Sequence, residues 1–198
     1  MSLAEQTTDI YLAPQLAPEP TLSAAASVDL PSFAGSYRDA DTHSVLRVTA
    51  SKDGLEAFGA HFQARDSGHF TGPDETEMTF DRQPNGVMRL TLVYKDTAPQ
   101  ILETYKTVSV SGQDLAQFVG EYTSAELEAT YRLFVKEGKL MLAVNWQDPF
   151  LLEPTVPDEF QGPYGTAIVF RRDSAGRITG FDVFAGRVRN IAFVKTSR

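Results

Sequence analysis

The chain has 198 residues, 42% of them hydrophobic, a formal net charge of −8 and no cysteine. This length allows one ordinary domain or two small ones, and the acidic balance argues against nucleic acid as a general partner. Without cysteine, disulfides, thiolate catalysis and cysteine-based metal sites are excluded, and no apolar run approaches the ~20 residues of a membrane-spanning helix.

Met1-Ser2-Leu3 reads as a start placed on an internal boundary, downstream of any signal segment. Ala4–Leu12 has the polar–apolar mix of one or two helical turns, too short to be stable without packing partners. Residues 13–27, with Pro14, Pro18, Pro20 and the run Ser23–Ser27, have linker composition. Residues 1–27 are therefore expected to be the end of a preceding domain plus a linker, and they carry three acidic and no basic residues.

From Val28 onward the chain states one pattern twice. Phe33-Ala-Gly35-Ser-Tyr37 returns as Phe118-Val-Gly120-Glu-Tyr122, and each copy is followed by short alternating segments and Gly-bearing turns. In the first copy Val45–Val48 and Leu55–Phe58 flank Lys52-Asp53-Gly54, and Met78–Phe80 and Val87–Tyr94 flank Pro84-Asn85-Gly86. In the second, Tyr131–Val135 and Leu140–Val144 flank Glu137-Gly138, and Ala167–Phe170 and Ile178–Phe184 flank Asp173–Gly176. A repeat of ~85–90 residues is too long for a solenoid unit and reads as a duplicated small domain, 28–112 and 113–198. The spacing predicts antiparallel meanders, which remove their edges most simply by closing into small, side-chain-filled barrels. One segment, Thr123–Glu128, reads as helical, with Ser124 as N-cap.

The chemistry-bearing residues are sparse. No serine is followed by lysine three residues on, and neither G-x-S-x-G nor H-E-x-x-H occurs. His61, Asp66 and His69 fit no compact metal-ligand spacing; they and His43 read as ordinary surface histidines, and no metal or other cofactor is expected. Asp74, Glu75, Glu77, Asp158 and Glu159 fall in turns or on exposed strand positions. Trp146, directly after an apolar strand, and Tyr164, in the Gly162-Pro-Tyr-Gly165 turn, are the aromatic candidates for ligand or partner contact. On a regular strand Arg187, Arg189, Ile191 and Phe193 would share one face, which a dry core cannot accept. Either a bulge at Gly186 or Asn190 resets the phase, or the two arginines line a barrel mouth, paired with Glu121, Glu126 or Glu128. Arg187 and Arg189 complete the candidate set, within a basic stretch (171–198) that holds seven basic and two acidic residues.

Leu115–Tyr131 (LAQFVGEYTSAELEATY), Glu137-Gly-Lys-Leu140, Asp173–Phe181 (DSAGRITGF) and Ala185-Gly-Arg-Val-Arg189 together resemble the C-terminal lipocalin-like module of serine hydrolases of the β-lactamase/penicillin-binding-protein class. The first copy shares this through Phe33–Tyr37 and its strand rhythm, and Ala4–Leu12 resembles the last segment of the hydrolase domain. The resemblance implies an all-β chain of two tandem lipocalin-like, up-and-down barrels, and a parent whose catalytic serine and lysine lie upstream. It implies an accessory role: packing on or gating the parent's catalytic domain, or supporting homo-oligomers, in a periplasmic or secreted protein. The expected partner is that upstream domain, with no nucleic acid and no membrane span. The chain itself is expected to be non-catalytic, and the alternative is a lipocalin-like module for a small apolar or anionic ligand near Trp146, Arg187 and Arg189.

Overall fold

The structure, a computed structural model, describes residues 28–145 and 147–196. The expected helical turns at Ala4–Leu12, the linker 13–27 and Trp146 lie outside these residues. Two closed antiparallel barrels of eight strands each follow one another along the chain. The first consists of β1 (Gly35–Arg38), β2 (Val45–Ala50), β3 (Gly54–Ala57), β4 (Ala60–Ala64), β5 (His69–Thr71), β6 (Glu77–Arg82), β7 (Met88–Val93) and β8 (Gln100–Thr104). The second consists of β9 (Gly120–Ser124), β10 (Ala129–Lys136), β11 (Lys139–Val144), β12 (Phe150–Pro154), β13 (Glu159–Gln161), β14 (Ala167–Arg172), β15 (Ile178–Ala185) and β16 (Val188–Lys195). Strands adjacent in sequence are adjacent in space. Tyr37 pairs with Leu46 on one side and Thr104 on the other, and Tyr122 with Tyr131 and Lys195, so both barrels close up-and-down without an edge. No helix of the described residues is long and apolar enough to cross a membrane.

Alternation builds each wall. In β7, Met88, Leu90 and Leu92 are buried while the residues between them are only half-buried. Two-residue turns with positive φ at both positions, Phe58-Gly59 and Glu137-Gly138, carry the hairpin twist. A second shared signature appears at Gly72-Pro-Asp-Glu-Thr76 and Gly162-Pro-Tyr-Gly-Thr166. In each, the glycine N–H donates to the threonine carbonyl, at 2.8 and 2.7 Å.

The F-x-G-x-Y repeat is one structural device used twice. Phe33 ends a 3₁₀ turn, Tyr37 points inward from β1, and its hydroxyl donates back to the Phe33 carbonyl at 2.6 Å. Tyr122 does the same to Phe118 at 2.8 Å. Around each motif sits the same aromatic quartet: Phe33, Tyr37, Phe70 and Phe80, matched by Phe118, Tyr122, Phe160 and Phe170, mostly in edge-on or tilted contact. The second core extends further. Phe181 and Phe193, stacked at 4.8 Å, occupy the paired positions that Leu90 and Leu102 hold in the first.

One local expectation is corrected and one pair of alternatives is decided. Thr123–Glu128 is not helical: β9 runs through Ser124 and β10 resumes at Ala129. Ser124 does cap, but it caps a hairpin turn, its Oγ accepting from Leu127 N at 3.3 Å, while Glu128 at φ +49° turns the chain back. The helical turn lies earlier, at Gly112–Leu115, where Ser111 Oγ accepts from Asp114 N at 3.2 Å, and continues as 3₁₀ through Ala116–Phe118. The arginine conflict is resolved by the bulge. Val183 pairs with Ile191 and Ala185 with Val188, so β16 carries one extra residue, and Asn190 at φ +60° absorbs it. Arg187 and Arg189 thereby lie in solvent and Phe193 in the core.

Candidate functional site

The polar feature that the fold concentrates lies where the two barrels meet. β1 ends at Arg38, and the loop after it is wound by Asp39. One Asp39 carboxylate oxygen accepts from the backbone N–H of Asp41 and Thr42 (2.8 and 3.0 Å), and the other accepts from Gln100 Nε2 (3.0 Å). Burial alone would raise the Asp39 carboxyl, but these donors outweigh it and hold the group below its ordinary value. The wound loop presents His43 at φ +59°, its ring packed on Phe184 of the second barrel with centroids 4.1 Å apart.

On the opposing side, Thr155 and Glu159 bracket the β12–β13 connection, with Thr155 N donating to Glu159 O at 3.0 Å. The Glu159 side chain is only 2% exposed. Arg38 grips it with two bonds, Nε to Oε1 at 2.6 Å and Nη2 to Oε2 at 2.5 Å. His43 Nδ1 lies 2.6 Å from Oε2, and Thr155 Oγ1 donates to Oε1 at 2.9 Å. Burial pushes the Glu159 carboxyl up, but the hydrogen bonds from Arg38 and His43, the Arg38 charge and Thr155 more than reverse this, leaving it below its ordinary value. The Arg38 guanidinium is correspondingly raised by its bonds to Glu159. His43 Nδ1 also stands 2.5 Å from Arg38 Nη2. One ring nitrogen cannot both accept from the guanidinium and donate to the carboxylate, so the imidazole tautomer decides which contact is made. With both carboxylate oxygens met by donors, Glu159 serves as an anchor between the barrels. The connecting segment joins the same place, Val108 N donating to Thr155 O at 3.0 Å.

Of the candidate residues read from the sequence, Tyr164 is fully exposed on the Pro163–Gly165 turn at φ +56°, and Arg187 and Arg189 are exposed at the β15–β16 turn and the start of β16. Among the described residues neither arginine joins an ion pair, so the expected pairing with Glu121, Glu126 or Glu128 does not form. Their turns do converge. Gly165 and Gly186, neighbours of Tyr164 and Arg187, border one cleft of about 280 Å³ at the mouth of the first barrel, together with Phe58, Tyr94 and Gln100. His61 and His69 are surface residues beside Glu56 and Glu77, and no group of three metal-ligating side chains forms among the described residues.

Two sequence expectations fail here. His43 is no ordinary surface histidine, and Glu159 is not exposed. Glu159 follows the outward phase of β13, since Phe160 beside it faces the core; what buries it is the other barrel, which no local pattern encodes. Compared with known proteins, the chain matches no family model and no curated protein.

Proposed function

We propose that the chain is a non-catalytic accessory region of a β-lactamase-like serine hydrolase, two barrels that pack on or gate an upstream catalytic domain, or support oligomers, in a periplasmic or secreted protein. The supporting sequence feature is the resemblance of Leu115–Tyr131, Asp173–Phe181 and Ala185–Arg189 to the C-terminal module of such enzymes. The structural observation that carries the reading is the buried Arg38–Glu159–His43 junction. A link of this kind gives two filled barrels a defined mutual placement, which suits a scaffold or a gate more than two independently tethered modules.

The coding sequence upstream of residue 1 should contain S-x-x-K, and its absence from an intact upstream frame overturns the assignment. The chain alone should leave nitrocefin and ester and peptide substrates untouched, whereas turnover abolished by a serine-directed inhibitor rules out the non-catalytic role. A second reading, a small-molecule-binding module in the lipocalin sense, draws on the cleft bordered by Phe58, Tyr94, Gly165 and Gly186.

A further inference from the structure

Phe58 is placed against two preferences at once. It is a bulky side chain at φ +54°, and it is 59% exposed at a hairpin tip. Among the described residues of the corresponding β11–β12 turn of the second barrel, the one with positive φ is Asn145, a residue type that tolerates this backbone. The fold of the first barrel gains nothing visible from phenylalanine there. What Phe58 does is form one wall of the cleft, its ring centroid 6.4 Å from that of Tyr94 and the planes 52° apart. The buried side chains of Leu46 and Leu102 border the cleft from the core side, and the turns bearing Gly165 and Gly186 overhang it from the second barrel.

The polar edge is equally defined. Gln100 Nε2 donates to Asp39 Oδ2 at 3.0 Å and Ser44 Oγ at 2.7 Å. Asp39 can only accept, which fixes the amide orientation. Gln100 borders the cleft, and its Oε1, which accepts no hydrogen bond among the described residues and is not a buried unpartnered atom, is the free acceptor of this side chain. The Asp39 carboxylate behind it disfavours an anion.

We propose that this cleft binds a small neutral aromatic compound of one or two fused rings that carries an N–H or O–H donor on its edge. The ring packs against the Phe58–Tyr94 pair, and the donor meets Gln100 Oε1. This rests on the binding-module reading and moves its site from the second barrel to the mouth of the first.

The test is a titration of the isotope-labelled full chain with indole and with 1-methylindole, which keeps the shape and lacks the donor, followed by amide chemical shifts. Indole should give saturable shifts at residues 42–46, 58, 94 and 100, with 1-methylindole weaker by about tenfold. Phe58→Asn, a residue suited to the turn, should fold at least as stably and bind indole at least about tenfold more weakly. Absence of saturable shifts up to about 5 mM indole overturns the site, as does equal binding of the two probes or unchanged binding by Phe58→Asn. Shifts clustered at Arg187 and Arg189 instead overturn this location while keeping the binding-module reading. None of these outcomes touches the accessory-region assignment, which the upstream frame tests.

Discussion

Tyr37 and Tyr122 each place a phenol wholly inside a barrel and satisfy it on the carbonyl four residues back. Replacing Tyr37 with phenylalanine removes that bond and leaves the Phe33 carbonyl without it, a loss expected to cost about 1–2 kcal/mol in urea or thermal unfolding. The same burial has an alkaline consequence. It pushes the Tyr37 phenol up to about 12, only partly offset by the Arg82 charge, and raises Tyr122 as well. The folded state therefore holds these protons more tightly than the unfolded chain. Their contribution is complete below about pH 10 and is lost as pH rises toward about 12. A spectrophotometric phenolate titration followed together with circular dichroism should show the last tyrosines ionising as the barrels unfold. Ionisation of every phenol with the fold intact contradicts this.

At the scale of elements, β16 shows how one residue rephases a strand. A regular β16 would place Arg187, Arg189, Ile191 and Phe193 on one face. The extra residue at Asn190 releases both arginines to solvent and keeps Phe193 stacked between Phe181 and Tyr131. The bulge needs a residue that accepts φ +60°. Asn190→Gly is expected to be nearly neutral and Asn190→Val to cost about 1–2 kcal/mol, read from urea midpoints; equal midpoints for the two variants contradict the assignment of strain. The sequence leaves two ways out of this conflict, a bulge at Gly186 or Asn190 or a pairing of the arginines at a barrel mouth; the strand register decides for the bulge and places it at Asn190. The Thr123–Glu128 stretch departs from its helical pattern for a related reason: Ser124 followed by Ala-Glu-Leu-Glu has helix-like composition, but Tyr122 and Tyr131 are paired across a hairpin, and that pairing overrides local propensity.

At the scale of the whole molecule, the junction makes stability depend on a single buried carboxylate. Glu159→Gln keeps the shape but leaves Arg38 without its counter-charge. Because the Arg38 side chain is 17% exposed against 2% for Glu159, the cost should fall below that of fully burying an unpaired charge, at about 2 kcal/mol. The glutamine carbonyl can still accept from Thr155 within the second barrel, so the loss falls chiefly between the barrels, and calorimetry should resolve one cooperative transition into two. An unsplit, unshifted transition removes the junction's role. Acid should do the same to the unsubstituted protein. The Glu159 carboxyl is held below its ordinary value of 4.5, so its contribution is whole above that value and is lost as pH falls through the lowered one. Asp39 shifts in the same direction within the first barrel. The difference between the acid profiles of the unsubstituted protein and Glu159→Gln therefore isolates the junction's share.

The sequence by itself determined the duplication, the β class and most of the strands, because those depend on neighbours two residues apart and on turn residues that favour positive φ. The F-x-G-x-Y motif marked the entrance of each barrel before its hydrogen bond was seen. Short strands such as β5 and β13, three residues each, left too little alternation to read. What only the tertiary structure decided is how one barrel meets the other. Arg38 and His43 stand more than 100 residues from Thr155 and Glu159 in sequence, and the burial of Glu159 and the opposed shifts of Arg38 and Glu159 arise only across that contact. The cleft walled by Phe58 and Tyr94 arises in the same way, from turns of two domains whose own patterns are complete without it.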